Sequence, residues 1–179
     1  MSKDSLRRLM QQRKSLLTLA ERERQSLEIM RLLEDLTVFQ KAHTVLLYSS
    51  LPDEVQTSIL LQRWYTMKQL LLPVVEGDNL VLKPFTDSSS LQSGKFGILE
   101  PQDGAPFTNY ETIDLAIIPG VAFTLDGKRL GRGKGYYDRL LSKSAFKNVF
   151  KVGLAFSCQV LPFLPMESHD ESLDLILTP

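Results

Sequence analysis

The sequence predicts an α/β fold on a mixed sheet, and three observations carry that expectation. Short apolar, β-prone runs alternate with amphipathic helical segments; the run at 113–118 is almost wholly apolar, as a strand covered on both faces is; and the short gap between 69–75 and 79–85 fits an antiparallel hairpin, not a crossover. In chain order, Leu6, Leu9, Leu16 and Leu17 recur at helical spacing among Arg7, Arg8, Arg13 and Lys14, which predicts a first helix with one apolar stripe and a basic opposite side. Thr18 and Glu21 have the spacing of a capping box, so a second helix starts there and runs through Leu27, Met30 and Leu33 to Leu36. Val45-Leu46-Leu47-Tyr48 then reads as a strand, Ser49-Ser50-Leu51-Pro52 as a loop and 53–66 as a helix. Glu76-Gly77-Asp78 joins the two hairpin strands, and 86–110, rich in Ser, Gly and Pro, is a long surface loop of the kind that often carries function. Strand 113–118 ends at Pro119-Gly120; a short helix over 136–143 and strands over 149–156 and 173–177 complete the chain, with helices expected on both faces of the sheet. There is no internal repeat and no linker, so 1–179 is read as one domain.

Composition narrows the function classes. In 179 residues, 21 Lys and Arg balance 21 Asp and Glu, 43% are hydrophobic and one is cysteine. At this length roughly 70% of the unfolded surface is buried on folding, enough for a core without disulfides or structural metal. A lone Cys158 forms no internal disulfide, which fits a reducing compartment. Zero formal net charge argues against a protein that coats nucleic acid. The first residues are charged and amphipathic, unlike a secretory leader, and no run approaches the about 18 apolar residues of a membrane span. A cytoplasmic protein with no membrane or nucleic-acid partner is expected.

Chemistry concentrates in one segment. Four of the ten glycines, Gly127, Gly131, Gly133 and Gly135, fall within nine residues and alternate with Lys128, Arg129, Arg132, Lys134 and Arg139. Alternating glycine and cation lets backbone N–H groups approach an anion while side chains neutralise it, and a following helix adds its positive end. A polyphosphate is the natural occupant, and Asp138 beside it calls for a bridging Mg²⁺. The segment matches neither the Walker A loop, since Gly135 stands where Ser or Thr should bind the metal, nor the dinucleotide fingerprint, whose third glycine would fall at Tyr136. From spacing alone, a glycine-rich hairpin with solvated charges remains the competing reading.

Pro119-Gly120-Val121-Ala122-Phe123 followed by Asp126-Gly127-Lys128-Arg129-Leu130-Gly131-Arg132-Gly133-Lys134-Gly135-Tyr136-Tyr137-Asp138-Arg139 closely resembles the signature of 5-formyltetrahydrofolate cyclo-ligases, also called methenyltetrahydrofolate synthetases. Further anchors span the chain: Lys3 with Leu6-Arg7, Tyr48-Ser49 with Glu54 and Thr57, Gly97-Ile98-Leu99-Glu100-Pro101, Gly153-Leu154-Ala155-Phe156, and His169-Asp170. The resemblance implies a three-layer α/β/α domain with a mostly parallel, mixed central sheet, acting on 5-formyltetrahydrofolate and ATP with Mg²⁺, and a monomer is expected.

The same resemblance assigns residues. Lys3, Asp4, Ser5, Leu6 and Arg7, with Arg129, Leu130, Gly131, Arg132, Gly133, Lys134, Gly135, Tyr136 and Tyr137, match ATP-contacting positions. Ser49 and Glu54 match folate-binding positions, and Arg132 to Tyr136 also border the folate. Arg132 and Lys134 are the choices for charge stabilisation at the transferring phosphoryl group; Asp138 and Asp170, with Asp174 as fallback, are the choices for Mg²⁺. Each has a plainer rival: Lys3 and Arg7 as solvated charges, Glu54 as a helix cap, Phe123, Tyr136 and Tyr137 as core aromatics, Asp174 as a structural partner. Trp64 reads as core, and His43 and His169 lack the spacing of a zinc site. Two other functions compete: an ATP-using kinase or ligase that lacks the folate site, and an RNA-binding module built on the basic loop.

Overall fold

The computed structural model describes all 179 residues, Met1–Pro179. In chain order it contains α1 (Lys3–Ser15), α2 (Leu19–Glu34), α3 (Thr37–Lys41), β1 (Thr44–Leu46), α4 (Ser58–Trp64), β2 (Gln69–Glu76), β3 (Asn79–Pro84), β4 (Leu91–Ser93), β5 (Leu99–Pro101), β6 (Leu115–Ile118), β7 (Ala122–Phe123), β8 (Arg129–Leu130), α5 (Tyr136–Leu141), β9 (Phe150–Leu154) and β10 (Leu175–Leu177). Six strands form the central sheet in the order β10-β9-β6-β1-β2-β3. All neighbours are parallel except β2 and β3, the expected hairpin, whose register closes at Glu76 opposite Asn79. The fold is therefore α/β with a mostly parallel, mixed sheet. No helix is long and apolar enough to cross a membrane.

The period-two alternation of the strands sorts the core into two layers. Val45, Leu47, Leu115, Ile117 and Val152 pack beneath Ile29, Met30 and Leu33 of α2, Phe39 of α3 and Leu60 and Leu61 of α4. Leu46, Ala116 and Ile118 face the other way, against Leu140 and Leu141 of α5 and Phe146. A third, smaller cluster seats Leu6 and Met10 of α1 on Ala122, Leu130, Leu161 and Leu164. Phe123 is fully buried and Trp64 packs edge-on against Phe39, so both belong to the core.

Three expectations change. The buried stripe of α1 is Leu6, Met10 and Lys14, at i, i+4 spacing; Leu16 lies beyond the helix, 82% exposed, and Lys14 is on the core side instead of the basic face. The helix expected over 53–66 starts only at Ser58, because the preceding turn uses its polar groups locally: Glu54 Oε2 accepts the Leu51 N–H at 3.0 Å, and the Thr57 hydroxyl donates to the Tyr48 carbonyl. The loop 86–110 holds a short hairpin, β4 with β5, and the signature segment holds another, β7 with β8. The capping box of α2 forms as expected, with Thr18 Oγ1 accepting the Glu21 N–H and Glu21 accepting the Thr18 N–H.

The strand order locates the site. From the central β1 the chain builds outward through β2 and β3 on one side and through β6, β9 and β10 on the other, so β1 and β6 flank a topological switch point. In open α/β sheets the crevice beyond the carboxyl ends of such strands is where ligands bind.

Candidate active site

A cavity of about 670 Å³ opens at that position. Tyr48 and Ser49 reach it from the end of β1, Pro119 and Gly120 from the end of β6, Lys3, Asp4 and Arg7 from α1, and residues 129–138 from β8, the glycine-rich loop and α5. Pro73, Val75 and Leu80 of the β2–β3 hairpin, with Phe96 and Ile98, supply an apolar wall. Every residue that the resemblance assigns to ATP, folate or Mg²⁺ lines this one cavity except Ser5, Leu6 and Asp174. Ser5 donates its backbone N–H to the Ser2 hydroxyl that caps α1, and Leu6 is a core residue. Asp174 accepts the Lys151 N–H at 2.7 Å and lies outside the cavity wall, as a structural partner of β9.

The loop is shaped by its glycines and held by α1. Gly133 and Gly135 have φ of +96° and +69°, left-handed values that leave backbone N–H groups free to converge on a ligand. The Arg7 Nε–H donates to the Gly131 carbonyl at 2.9 Å, so the first helix is tied to the loop and Arg7 is no solvated bystander. The α5 that follows spans only six residues, so the anion site expected here rests more on loop N–H groups and side-chain cations than on a helix dipole.

Most charges in the cavity are already paired. Arg129, its side chain 3% exposed, donates to Asp138 Oδ1 at 2.6 Å and to the Pro119 carbonyl at 3.2 Å. Lys3 donates to Asp170 Oδ2 at 2.6 Å and lies 3.4 Å from Glu167. Burial alone would raise Asp170, but hydrogen bonds from Lys3 and the Glu167 N–H, with the Lys3 charge, hold it below the ordinary aspartate value; Lys3 is raised in turn. Arg132 donates from Nε and Nη2 to Glu54 Oε1, at 3.2 and 2.8 Å, and from Nη2 to Asp53 Oδ1 at 2.9 Å. Lys14, 4% exposed, donates to the other Asp53 oxygen. Burial pushes Asp53 up, yet Lys14 and Arg132 outweigh it and leave its carboxyl lowered. Tyr137 is pushed up by burial and by the charge of Glu54, so it stands as a neutral phenol beside that carboxylate. Among the lysines and arginines lining the cavity, Lys134 alone has no side-chain partner.

Sequence reasoning missed Lys14, Asp53 and the charge environment of Glu100. Lys14 carried one signal, its i+4 spacing from Met10; Asp53 and Glu100 acquire their partners only through the tertiary fold. The two candidate metal carboxylates share the cavity wall, and no group of three or more His, Cys, Asp or Glu gathers there. Asp138 Oδ2 has no partner, and Asp170 Oδ1 has only His169 Nε2, 3.9 Å away. Two carboxylate oxygens with room for phosphate and water suit a hard cation such as Mg²⁺, which keeps several of its ligands from substrate and solvent.

Comparison with known proteins gives one answer. The model of the 5-formyltetrahydrofolate cyclo-ligase family matches residues 1–179. A probable 5-formyltetrahydrofolate cyclo-ligase of Schizosaccharomyces pombe is 34% identical over 171 residues, covering 87% of this chain and 84% of that one. The Escherichia coli 5-formyltetrahydrofolate cyclo-ligase is 34% identical over 143 residues, 77% of this chain and 79% of its own. The solved structure of Aquifex aeolicus 5,10-methenyltetrahydrofolate synthetase superposes with a TM-score of 0.88 at 39% identity, over 99% of this chain and 90% of that one. With the family model spanning every residue and a solved relative sharing the fold, the chain belongs to the 5-formyltetrahydrofolate cyclo-ligase family.

Proposed function

We propose that this enzyme closes 5-formyltetrahydrofolate to 5,10-methenyltetrahydrofolate, consuming ATP with Mg²⁺ and releasing ADP and phosphate. The observation that carries the reading is that the glycine-rich loop and the residues after β1, Ser49 and Glu54, line one cavity, so a nucleotide and a folate can meet there. The chemistry requires that meeting. A formamide oxygen is a poor leaving group, so N10 cannot close the ring until that oxygen carries the γ-phosphoryl group; N10 then attacks the formyl carbon and phosphate departs. No covalent protein nucleophile is needed. The protein must align the formyl oxygen with the γ-phosphorus, neutralise spreading charge and exclude water.

The residues divide that work. Lys134 lines the cavity free of side-chain partners and would follow the transferring phosphoryl group. Arg132 sits between the two halves, its guanidinium on Glu54 while its backbone belongs to the phosphate loop. Glu54 and Ser49 border the folate, and the neutral Tyr137 phenol offers a further donor. Asp138 and Asp170 would hold Mg²⁺, which when bound neutralises phosphate charge and fixes the polyphosphate. The need for it is electrostatic: five Lys and Arg and six Asp and Glu line the cavity, so the polyphosphate finds no surplus of positive charge there.

The test is turnover of purified protein with 5-formyltetrahydrofolate, followed by the absorbance of the methenyl product, then repeated with ATP or Mg²⁺ omitted. Product that requires both is expected. A folded, ATP-binding protein that yields no product would reject the folate half and favour a kinase.

A further inference from the structure

Six acids line the cavity, and five are paired with cations: Asp4 with Arg7, Glu54 with Arg132, Asp138 with Arg129, and Glu167 and Asp170 with Lys3. Glu100 is the sixth. It is the most deeply buried of the three cavity glutamates, 4% exposed, at the centre of β5. It shares the cavity wall with Pro73, Val75, Leu80 and Ile98, and it makes no ion pair. Its one hydrogen bond is from the Val75 N–H to Oε1, at 3.2 Å. That N–H is free because the pairing of β2 with β1 ends at Leu71, leaving the rest of this strand edge open. The seat is tight: a Cβ on Gly94, across the β4–β5 hairpin, would lie 2.1 Å from Oε2, so only glycine there leaves room for the carboxylate.

A buried carboxylate with one hydrogen bond and no cation is costly unless something else donates to it. We infer that Glu100 is a specificity-determining residue of the folate site and takes the donor edge of the pterin, its ring N3–H and 2-amino group. This rests on the folate reading above. Two parallel N–H donors match the two oxygens of a carboxylate. Adenine offers at its corresponding edge a donor beside an acceptor, so the same carboxylate disfavours the nucleotide base and directs ATP to the loop side. Glu54, whose Oε1 already takes Arg132 and whose Oε2 takes the Leu51 N–H, is left to the reacting side of the folate.

The experiment compares 5-formyltetrahydrofolate with its 2-desamino-2-methyl analogue, measuring Kd for each folate and for ATP in wild type, Glu100→Gln and Glu54→Gln. Glutamine keeps an acceptor for the Val75 N–H. Glu100→Gln is expected to weaken folate binding about ten- to a hundredfold, the range of a lost charge-assisted hydrogen bond, with ATP affinity and Tm unchanged. It should also no longer distinguish the folate from the analogue, a coupling that a merely structural role would not produce. Wild-type folate affinity in this variant, equal losses for ATP and folate, or undiminished discrimination would each overturn the inference. If Glu100→Gln does not fold, Glu54→Gln decides: discrimination must survive in it, and its loss there assigns the donor edge to Glu54. Wild-type protein that binds no 5-formyltetrahydrofolate overturns the folate reading and this inference together; wild-type binding with an indifferent Glu100→Gln overturns this inference alone.

Discussion

Lys134 and Arg132 were chosen together from the sequence, and the structure gives them different surroundings. Lys134 has no partner to lose, so Lys134→Ala should leave Tm unchanged and lower kcat/KM about a hundredfold, the size expected for a charge-assisted contact made in the transition state. Arg132→Ala strips the cation from Glu54 as well, so it should raise the folate KM in addition to lowering kcat; steady-state kinetics in both substrates separates the two. Asp138→Asn does more than remove a proposed Mg²⁺ ligand. It leaves the guanidinium of Arg129, 3% exposed, without its carboxylate, and breaking such a buried pair costs about 3–5 kcal/mol. A marked fall in Tm is expected beside a higher Mg²⁺ requirement; an unchanged Tm would mean the pair contributes nothing to folding. The loop stood out because glycines and cations alternate in it, and Glu54 was singled out only through the family resemblance; both line the cavity. Lys14, Asp53 and Glu100 were not, because what distinguishes them is a partner, or the lack of one, supplied by segments far away in the chain.

At the scale of elements, local signals read correctly where an element's own residues bond to one another. The capping box of α2 is one, and Thr18→Ala should cost about 1 kcal/mol, measured by denaturant unfolding. The β2–β3 hairpin is another, fixed by a two-residue turn between Glu76 and Asn79. The segment 53–57 misled because its apolar and charged residues suit a helix, while Glu54 and Thr57 bond to the loop instead. The two-residue strands β7 and β8 are too short to show any period. Misreading Lys14 as part of a solvated face had the same origin: a basic run looks exposed until the helix is docked and Asp53 lies opposite.

Across the whole molecule, α1 is fastened at its two ends, by Lys3 to Asp170 and by Lys14 to Asp53. Both carboxyls lie below the ordinary aspartate value of 3.8, Asp53 with burial opposing Lys14 and Arg132, Asp170 with burial opposing Lys3. A carboxyl lowered on folding contributes stability that is complete above its unfolded value and lost as pH falls through the folded one. Amide exchange in α1 should therefore be constant from pH 7 to pH 5, after correction for intrinsic rates, and accelerate below about pH 4 before the sheet loses protection. Loss of α1 protection already above pH 5 would contradict the two-ended fastening. The same helix has a consequence for biosynthesis. Leu6 and Met10 rest on Leu161 and Leu164, and Lys3 reaches across to Asp170, so during synthesis α1 has no seat until these residues, far later in the chain, have followed it. Until then the glycine-rich loop lacks the Arg7 contact to Gly131, and a nascent chain with most of its sheet assembled still lacks the wall of the cavity that Lys3, Asp4 and Arg7 supply.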